Sequence, residues 1–284
     1  MGQENRYSAR RRKTCLSKAA VILLLLAVAV VTLFPFYWMF VTAVKPIDEV
    51  LAYPPRLVPS EIIWGNFAKS MKAANFPKYF MNSFIVTAVS TAITVFINLL
   101  AGYSFAKYKF RYKEVMFLIV LSTLMIPLQV TMIPTFIIAS RIGIRNSLIG
   151  LALPPCAEAF GLFMARQFIS EIPDELLEAG RIDGATEFTI FSKIVVPNVR
   201  PLISVLVIFT VMWRWNDLQW PLIMISKEPL YTVQLGLSML NGAQYVNWND
   251  IMSASLISVI PVMVVFFIFQ KQFVQGMAAS GIKG

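Results

Sequence analysis

Six long stretches of this chain carry almost no charge, and nothing else in it constrains the fold as tightly. Ala19–Val44 is charge-free over 26 residues, Tyr79–Ala106 over 28, Val115–Ser140 over 26 and Ile251–Gln270 over 20. Asn146–Ala165 holds one charge, Glu158, and Pro201–Ser226 holds two, Arg214 and Asp217. About 20 apolar residues let a helix cross the hydrocarbon core. Inside lipid every backbone polar group must be satisfied within the protein, so the choice is helices or a closed barrel. The alternation of a membrane barrel is absent. The pattern predicts an all-α integral membrane protein with six transmembrane helices, at about 19–44, 79–106, 115–140, 146–166, 201–226 and 251–271. It predicts one membrane domain, 19–284, behind a basic tail, 1–18.

Composition closes off other classes. The chain is 57% hydrophobic and 14% charged, against about 25% charged in a soluble domain. Its net charge of +10 would suggest nucleic acid in a soluble protein. Here the basic residues stand between the apolar runs and act as topology signals, so no nucleic-acid partner is expected. The absence of histidine removes the commonest general base and metal ligand. Cys15 and Cys156 fit no metal spacing and read as unpaired structural residues. The first run outlasts the 7–15 residues of a signal-peptide core and reads as a retained span.

Basic residues also give an orientation. With the N-terminus in the cytoplasm, 16 Lys and Arg fall inside, from Arg6 to Lys283, and 8 outside: Lys45, Arg56, Lys69, Lys72, Lys78, Arg141, Arg145 and Lys227. That excess places both termini inside. Two outer loops are long: the proline-rich Lys45–Lys78 and Lys227–Asp250, whose Tyr231, Tyr245 and Trp248 suit an interface or a partner.

The longest inner loop, 167–200, is polar and helix-forming. Pro173, Asp174 and Glu175 suit the positive first turn of a helix. Leu176, Leu177 and Ile182 supply an apolar side, Glu178 and Arg181 an i,i+3 pair, and Gly184 a left-handed end. A second short helix fits Thr186 to Lys193, stopping before Pro197. Two readings suit such amphipathic helices: docking on a partner, or lying on lipid headgroups.

This loop resembles the EAA signature of permease subunits of bacterial binding-protein-dependent ABC importers. Glu178, Ala179, Gly180, Gly184, Ile194, Val196 and Pro197 stand at its spacing, with Gly180 in place of the second alanine and Val196 in place of leucine. Ile172–Leu176, Asp183-Gly-Ala185, Trp215-Asn-Asp217, Trp220-Pro-Leu222 and the tail Ser280–Gly284 resemble the sugar-importing branch, the maltose-type permeases. The resemblance implies a type I importer permease fold in the bacterial cytoplasmic membrane. It implies a coupling loop, with Arg181 and Ala185 beside the signature residues, seated on two cytoplasmic ABC ATPase subunits. It further implies a second six-span permease as a heterodimer partner, an extracytoplasmic sugar-binding protein, and import of a carbohydrate. The chain has no Gly-x-x-x-x-Gly-Lys-Ser/Thr run to cradle phosphates. No cofactor is expected on it, with ATP and Mg²⁺ held by the ATPases, and no enzymatic activity is expected of it.

Polar residues within the spans carry the remaining signal. Ser83, Thr87, Thr91, Thr94 and Asn98 share one helical face, which serves helix packing or a pathway lining equally well. Pro127 and Pro134, flanking Gln129, and Pro154-Pro155 mark weak points in spans three and four. Arg214, Asn216 and Asp217 read as an Arg214–Asp217 pair near the outer interface, or as polar groups at the mouth of a pathway. Glu158 has no assigned role. A stand-alone ion-coupled transporter would place more ionisable groups at mid-membrane, and a non-transporting scaffold has no need of broken spans.

Overall fold

The computed structural model describes residues 2–242 and 246–281, with side chains for 18, 20–72, 74–242 and 246–270. Cys15, Tyr245, the Ser280–Gly284 tail and the basic residues before Lys18 or after Gln270 lie outside the described side chains. Among the described residues all regular structure is helical. The helices are α1 (Gly2–Val44), α2 (Ile47–Val50), α3 (Gly65–Ala73), α4 (Phe76–Lys107), α5 (Lys113–Ser122), α6 (Leu128–Arg141), α7 (Leu148–Ala152) and α8 (Ala159–Ser170). They continue with α9 (Asp174–Ile182), α10 (Glu187–Ile190), α11 (Val196–Asn198), α12 (Arg200–Trp215), α13 (Gln219–Met224), α14 (Val233–Asn241) and α15 (Trp248–Gly281).

Three crossings are single helices: Ala20–Val44 of α1, all of α4, and Trp248–Gln270 of α15. The others are broken. Lys113–Met125 and Leu128–Arg141 meet at 106°, and Leu148–Cys156 and Ala159–Ser170 at 48°. Each break falls at a proline expected to cause one, Pro127 and the Pro154-Pro155 pair. Pro134, by contrast, is carried inside α6. At the fifth crossing α12 joins the preceding loop helices at 81°. Its 16 residues rise about 24 Å, short of the roughly 30 Å hydrocarbon core, and α13 follows after a break at Asn216–Leu218.

The hydropathy pattern predicts one domain, but packing divides the chain into two compact units. The first holds residues 1–71 and 247–257. Here α1 ends against polar side chains: Asn66 and Asn249 donate to the carbonyls of Ala43, Thr42 and Lys45 at 2.8–3.1 Å. These are carbonyls that a helix end cannot satisfy itself. The 46–64 segment is fastened by Arg56–Glu49 at 2.7 Å, by Ser60 N–H to Glu49 at 3.2 Å, and by Lys45 Nζ to the Arg56 carbonyl at 2.5 Å.

The second unit holds 72–246 and 258–284. Its centre is α4, with α8 and α12 against it. Leu99, Tyr103, Ala165, Ile169, Leu202 and Leu206 fill one end of its core. Val86, Leu151, Trp220, Met224 and Leu235 fill the other. Small residues set the α4–α8 separation. A Cβ on Gly102 would stand 2.4 Å from Ala165 Cβ, and one on Gly161 2.2 Å from Asn98 Nδ2.

Candidate functional site

The loop after span four folds into a compact helical motif. Pro173 precedes α9, Asp174 and Glu175 occupy its first turn, and Gly184 ends it at φ +79°. Gly184 N–H donates to the Arg181 carbonyl and Ala185 N–H to the Gly180 carbonyl, both at 3.0 Å. This is the Schellman arrangement, which requires the left-handed conformation glycine adopts freely.

Thr186 caps the next helix, its hydroxyl accepting from Thr189 N–H at 3.2 Å. Where the sequence predicts a stop before Pro197, the helix continues through a π-helical turn, Phe191–Val195, into α11. The wide turn lets Pro197 sit in the opening turn of α11, where its missing N–H leaves no bond unmade.

Two side-chain expectations are corrected here. Only Leu177 of the predicted apolar side is buried, whereas Leu176 and Ile182 are exposed, as is Phe188. The inner face is completed by Gly180, on which a Cβ would lie 3.0 Å from Ile194 Cδ1. The glycine that departs from the signature thus admits Ile194. Arg181 does not pair with Glu178. It binds Glu187 instead, Nε to Oε1 at 2.7 Å, because the chain reverses at Gly184 and brings α10 alongside.

Glu187, singled out by nothing in the sequence, is the hub of the loop. Besides Arg181 it accepts from the Tyr103 hydroxyl at 2.9 Å and the Tyr108 hydroxyl at 2.6 Å. Tyr103 lies near the end of α4, and Tyr108 caps it. The Arg181 bond, then that of Tyr108, hold the Glu187 carboxyl down at about 2. A second tie is Lys107, the last residue of α4. Its ammonium donates to the Ile172 carbonyl at 2.5 Å and to Asp174 at 2.7 Å, and holds the Asp174 carboxyl below its ordinary range. Glu178, Ala179 and Asp183 face outward.

The polar residues of the spans separate into two groups. Ser83, Thr87, Thr91, Thr94 and Asn98 are all buried inside the second unit. Ser83 accepts from Val233 N–H at 2.9 Å, and Asn98 faces Gly161. The Thr87, Thr91 and Thr94 hydroxyls and Asn98 Nδ2 have no hydrogen-bond partner among the described residues. Gln129 and Asn216 are exposed. Gln129 Nε2 donates to Gln219 Oε1 at 3.4 Å, and Asn216 Oδ1 accepts from Gln234 at 3.3 Å.

The expected Arg214–Asp217 pair does not form, because α12 ends at Trp215 and the i,i+3 register is lost. Asp217 accepts from Trp220 N–H at 3.2 Å and so starts α13. Arg214 pairs with Glu158 and donates to the Pro155 carbonyl at 2.7 Å. That carbonyl is one of those freed at the break in span four. Glu158 immediately precedes α8, where the helix's positive end favours a carboxylate. Glu158 stands near the middle of Leu148–Ser170 in sequence, and Arg214 in the last turn of α12.

The family model for the binding-protein-dependent transport system inner membrane component matches residues 98–279, more than half of the chain. The chain belongs to this family. This permease is 30% identical over 270 residues to the arabinooligosaccharides transport system permease protein AraQ of Bacillus subtilis (strain 168), a match covering 94% of this chain and 96% of AraQ. It is 32% identical over 279 residues to the sn-glycerol-3-phosphate transport system permease protein UgpE of Pectobacterium atrosepticum, covering 95% and 98%. Its fold matches a crystal structure of a bacterial ABC transporter involved in import of the acidic polysaccharide alginate, with a TM-score of 0.80 at 21% identity, over 92% of this chain and 98% of that one. It is a multi-pass transport permease of an ABC importer, not an ATPase. The permease's hub, Glu187, escaped sequence reading because its tyrosine partners lie 79 and 84 residues away. Glu158 was visible as a lone intramembrane charge, though its partner was not.

Proposed function

We propose that this permease imports a carbohydrate, handed over by an extracytoplasmic binding protein and driven by ATP and Mg²⁺ in two partner ATPases. The observation that carries the ATPase part is the fastening of the α9–α11 loop to α4 through Glu187 and Lys107. A loop merely resting on headgroups has no need of such ties. They leave Leu176, Glu178, Ile182 and Phe188 pointing away from the protein, a mixed apolar and acidic face that a soluble partner can cover. Glu178, Ala179, Gly180, Arg181, Asp183, Gly184, Ala185, Ile194 and Pro197 then form the coupling element. The excess of basic residues supports cytoplasmic termini and a cytoplasmic loop. The carbohydrate assignment is supported by the likeness to AraQ and by the sugar-branch segments around Trp215 and Trp220. A second six-span permease, different from this chain, completes the pathway in the bacterial cytoplasmic membrane.

The test is purification of the tagged chain from mild-detergent extracts of its own membranes. An ATPase with a phosphate-binding loop and a second six-span protein should accompany it. A chain that purifies alone and takes up solute on an ion gradient defeats the proposal.

A further inference from the structure

The turn from α4 into α5 carries four cations, Lys107, Lys109, Arg111 and Lys113, followed by one acid, Glu114. Three of these five charges are engaged within the protein. Lys107 holds the loop after span four through the Ile172 carbonyl and Asp174. Lys113 donates to the Ala106 and Tyr108 carbonyls at 3.3 and 3.1 Å, closing the end of α4. Glu114 accepts from Arg166 Nη2 at 2.7 and 2.8 Å, and that guanidinium lies 4.0 Å from the centre of the Phe117 ring.

Lys109 and Arg111 are left over, and both are exposed. Among the described residues no carboxylate binds either one. Lys109 feels the field of Asp174, a carboxylate that Lys107 already holds. Arg111 lies over the Tyr112 ring at 4.7 Å. Tyr112 itself has a left-handed backbone, φ 62°, uncommon for a bulky side chain. Backbone held in a sparsely populated region points to a functional constraint. Here it turns the chain so that the Phe110 and Tyr112 rings are both exposed beside the cations. No side chain caps α5, so the helix's positive end adds to the same potential.

Lys109, Phe110, Tyr112, Lys113, Glu114 and Val115 line an open groove of about 380 Å³. From it α5 runs on into a membrane crossing with Val115, Leu118 and Ile119 exposed. The groove thus has cations and rings at its head and an apolar strip leading away along a span. An acidic protein surface would match the cations alone, and a free phosphate ion would leave the strip unused. An anionic phospholipid matches both, with a phosphodiester for Lys and Arg and acyl chains for the strip. Aromatic rings suit the border between the two.

We propose that the α4–α5 turn is a binding site for an anionic phospholipid, its phosphate held by Lys109 and Arg111 and its acyl chains lying along Val115, Leu118 and Ile119.

The test uses the whole tagged transporter with its partner subunits. It is reconstituted in vesicles of equimolar phosphatidylcholine and phosphatidylglycerol, extracted in mild detergent, and its retained phospholipid identified by mass spectrometry. The wild type should keep phosphatidylglycerol in preference to phosphatidylcholine, and less of it as salt is raised during extraction. Lys109→Gln or Arg111→Gln alone should lower the retained phosphatidylglycerol about fivefold, the scale of one cation at an anionic membrane surface, and the two together at least about tenfold. Lys109→Arg with Arg111→Lys should keep it. Lys69→Gln with Lys72→Gln, which removes two exposed cations elsewhere, should keep it too. If the double glutamine variant does not assemble, the single variants decide. No preference in the wild type, or unchanged retention in the glutamine variants, overturns the site. An equal drop in the Lys69 and Lys72 variant overturns it as well, assigning retention to net charge. Displacement of the retained lipid by glycerophosphoglycerol, the same headgroup without acyl chains, overturns the lipid in favour of a soluble phosphate ligand. Loss of a partner subunit from both single glutamine variants overturns it in favour of a protein contact.

Discussion

Two of the carboxylates that tie helices together in the second unit, Glu187 and Glu158, do so in opposite surroundings. In the loop, Glu187 gathers Arg181, Tyr103 and Tyr108, and the Arg181 and Glu187 side chains are 42% and 46% exposed. In the membrane, Glu158 holds Arg214, and those side chains are 15% and 11% exposed. Exposed ion pairs are screened and contribute little. A buried pair contributes little net stability when intact, yet breaking it strands a charge and is severe. The outer tie can yield and reform during a transport cycle, whereas the inner one is suited to staying shut.

The largest effect should come from Arg214→Ala or Glu158→Ala. Each should cost about 3–5 kcal/mol, read as lost thermal stability of the detergent-solubilised protein. Arg214→Met with Glu158→Gln should recover most of it. Equal losses in the single and double variants would break the comparison. Glu187→Ala should cost about 1–2 kcal/mol, the hydrogen bonds to a charged group discounted for exposure, and should lower uptake more than ATP hydrolysis. Equal loss of both activities would deny the loop its transmitting role.

The same hub sharpens the comparison through pH. Glu187 is held at about 2 against an ordinary 4.5. Its stabilising contribution is therefore complete above about 4.5 and is lost as pH falls towards 2. Once pepsin's own pH profile is divided out, cutting at 183–191 should quicken over that window in the wild type, rising towards the pH-independent rate of Glu187→Gln. Gly184→Ala should cost about 1 kcal/mol, because the alanine must hold a left-handed conformation, and should weaken ATPase attachment without impairing insertion. Gly180→Ala should change stability by less than about 1 kcal/mol: better helix propensity offsets a 3.0 Å approach to the flexible tip of Ile194.

Much of this was legible in the chain. Charge-free runs gave the crossings, Pro127 and Pro154 gave two breaks, and Gly184 gave the left-handed turn. These are local signals, in which a residue's own backbone dictates the outcome. What stayed hidden was long-range. Arg214 could be paired on paper only with Asp217, its helical neighbour, because Glu158 is 56 residues away. Gly180 stood only as a departure from the signature, because the Ile190 and Ile194 side chains packed against it lie ten and fourteen residues on. The face from Ser83 to Asn98 has one periodicity whether it packs or lines water, so the sequence does not separate the two.

The approach of α4 to α8 has a mechanical consequence. At Gly102 and Gly161 the helices meet so closely that one added carbon would strike backbone or an amide. Such surfaces resist sliding, since any shift must lift one helix over the other. The 32 residues of α4 span about 48 Å, and the loop hangs from its last turn through Lys107 and Tyr103. The pair therefore behaves as a strut: a push at the loop reaches the far end of α4 almost undiminished, and the compliance of the unit is left to the breaks at Pro127 and Asn216.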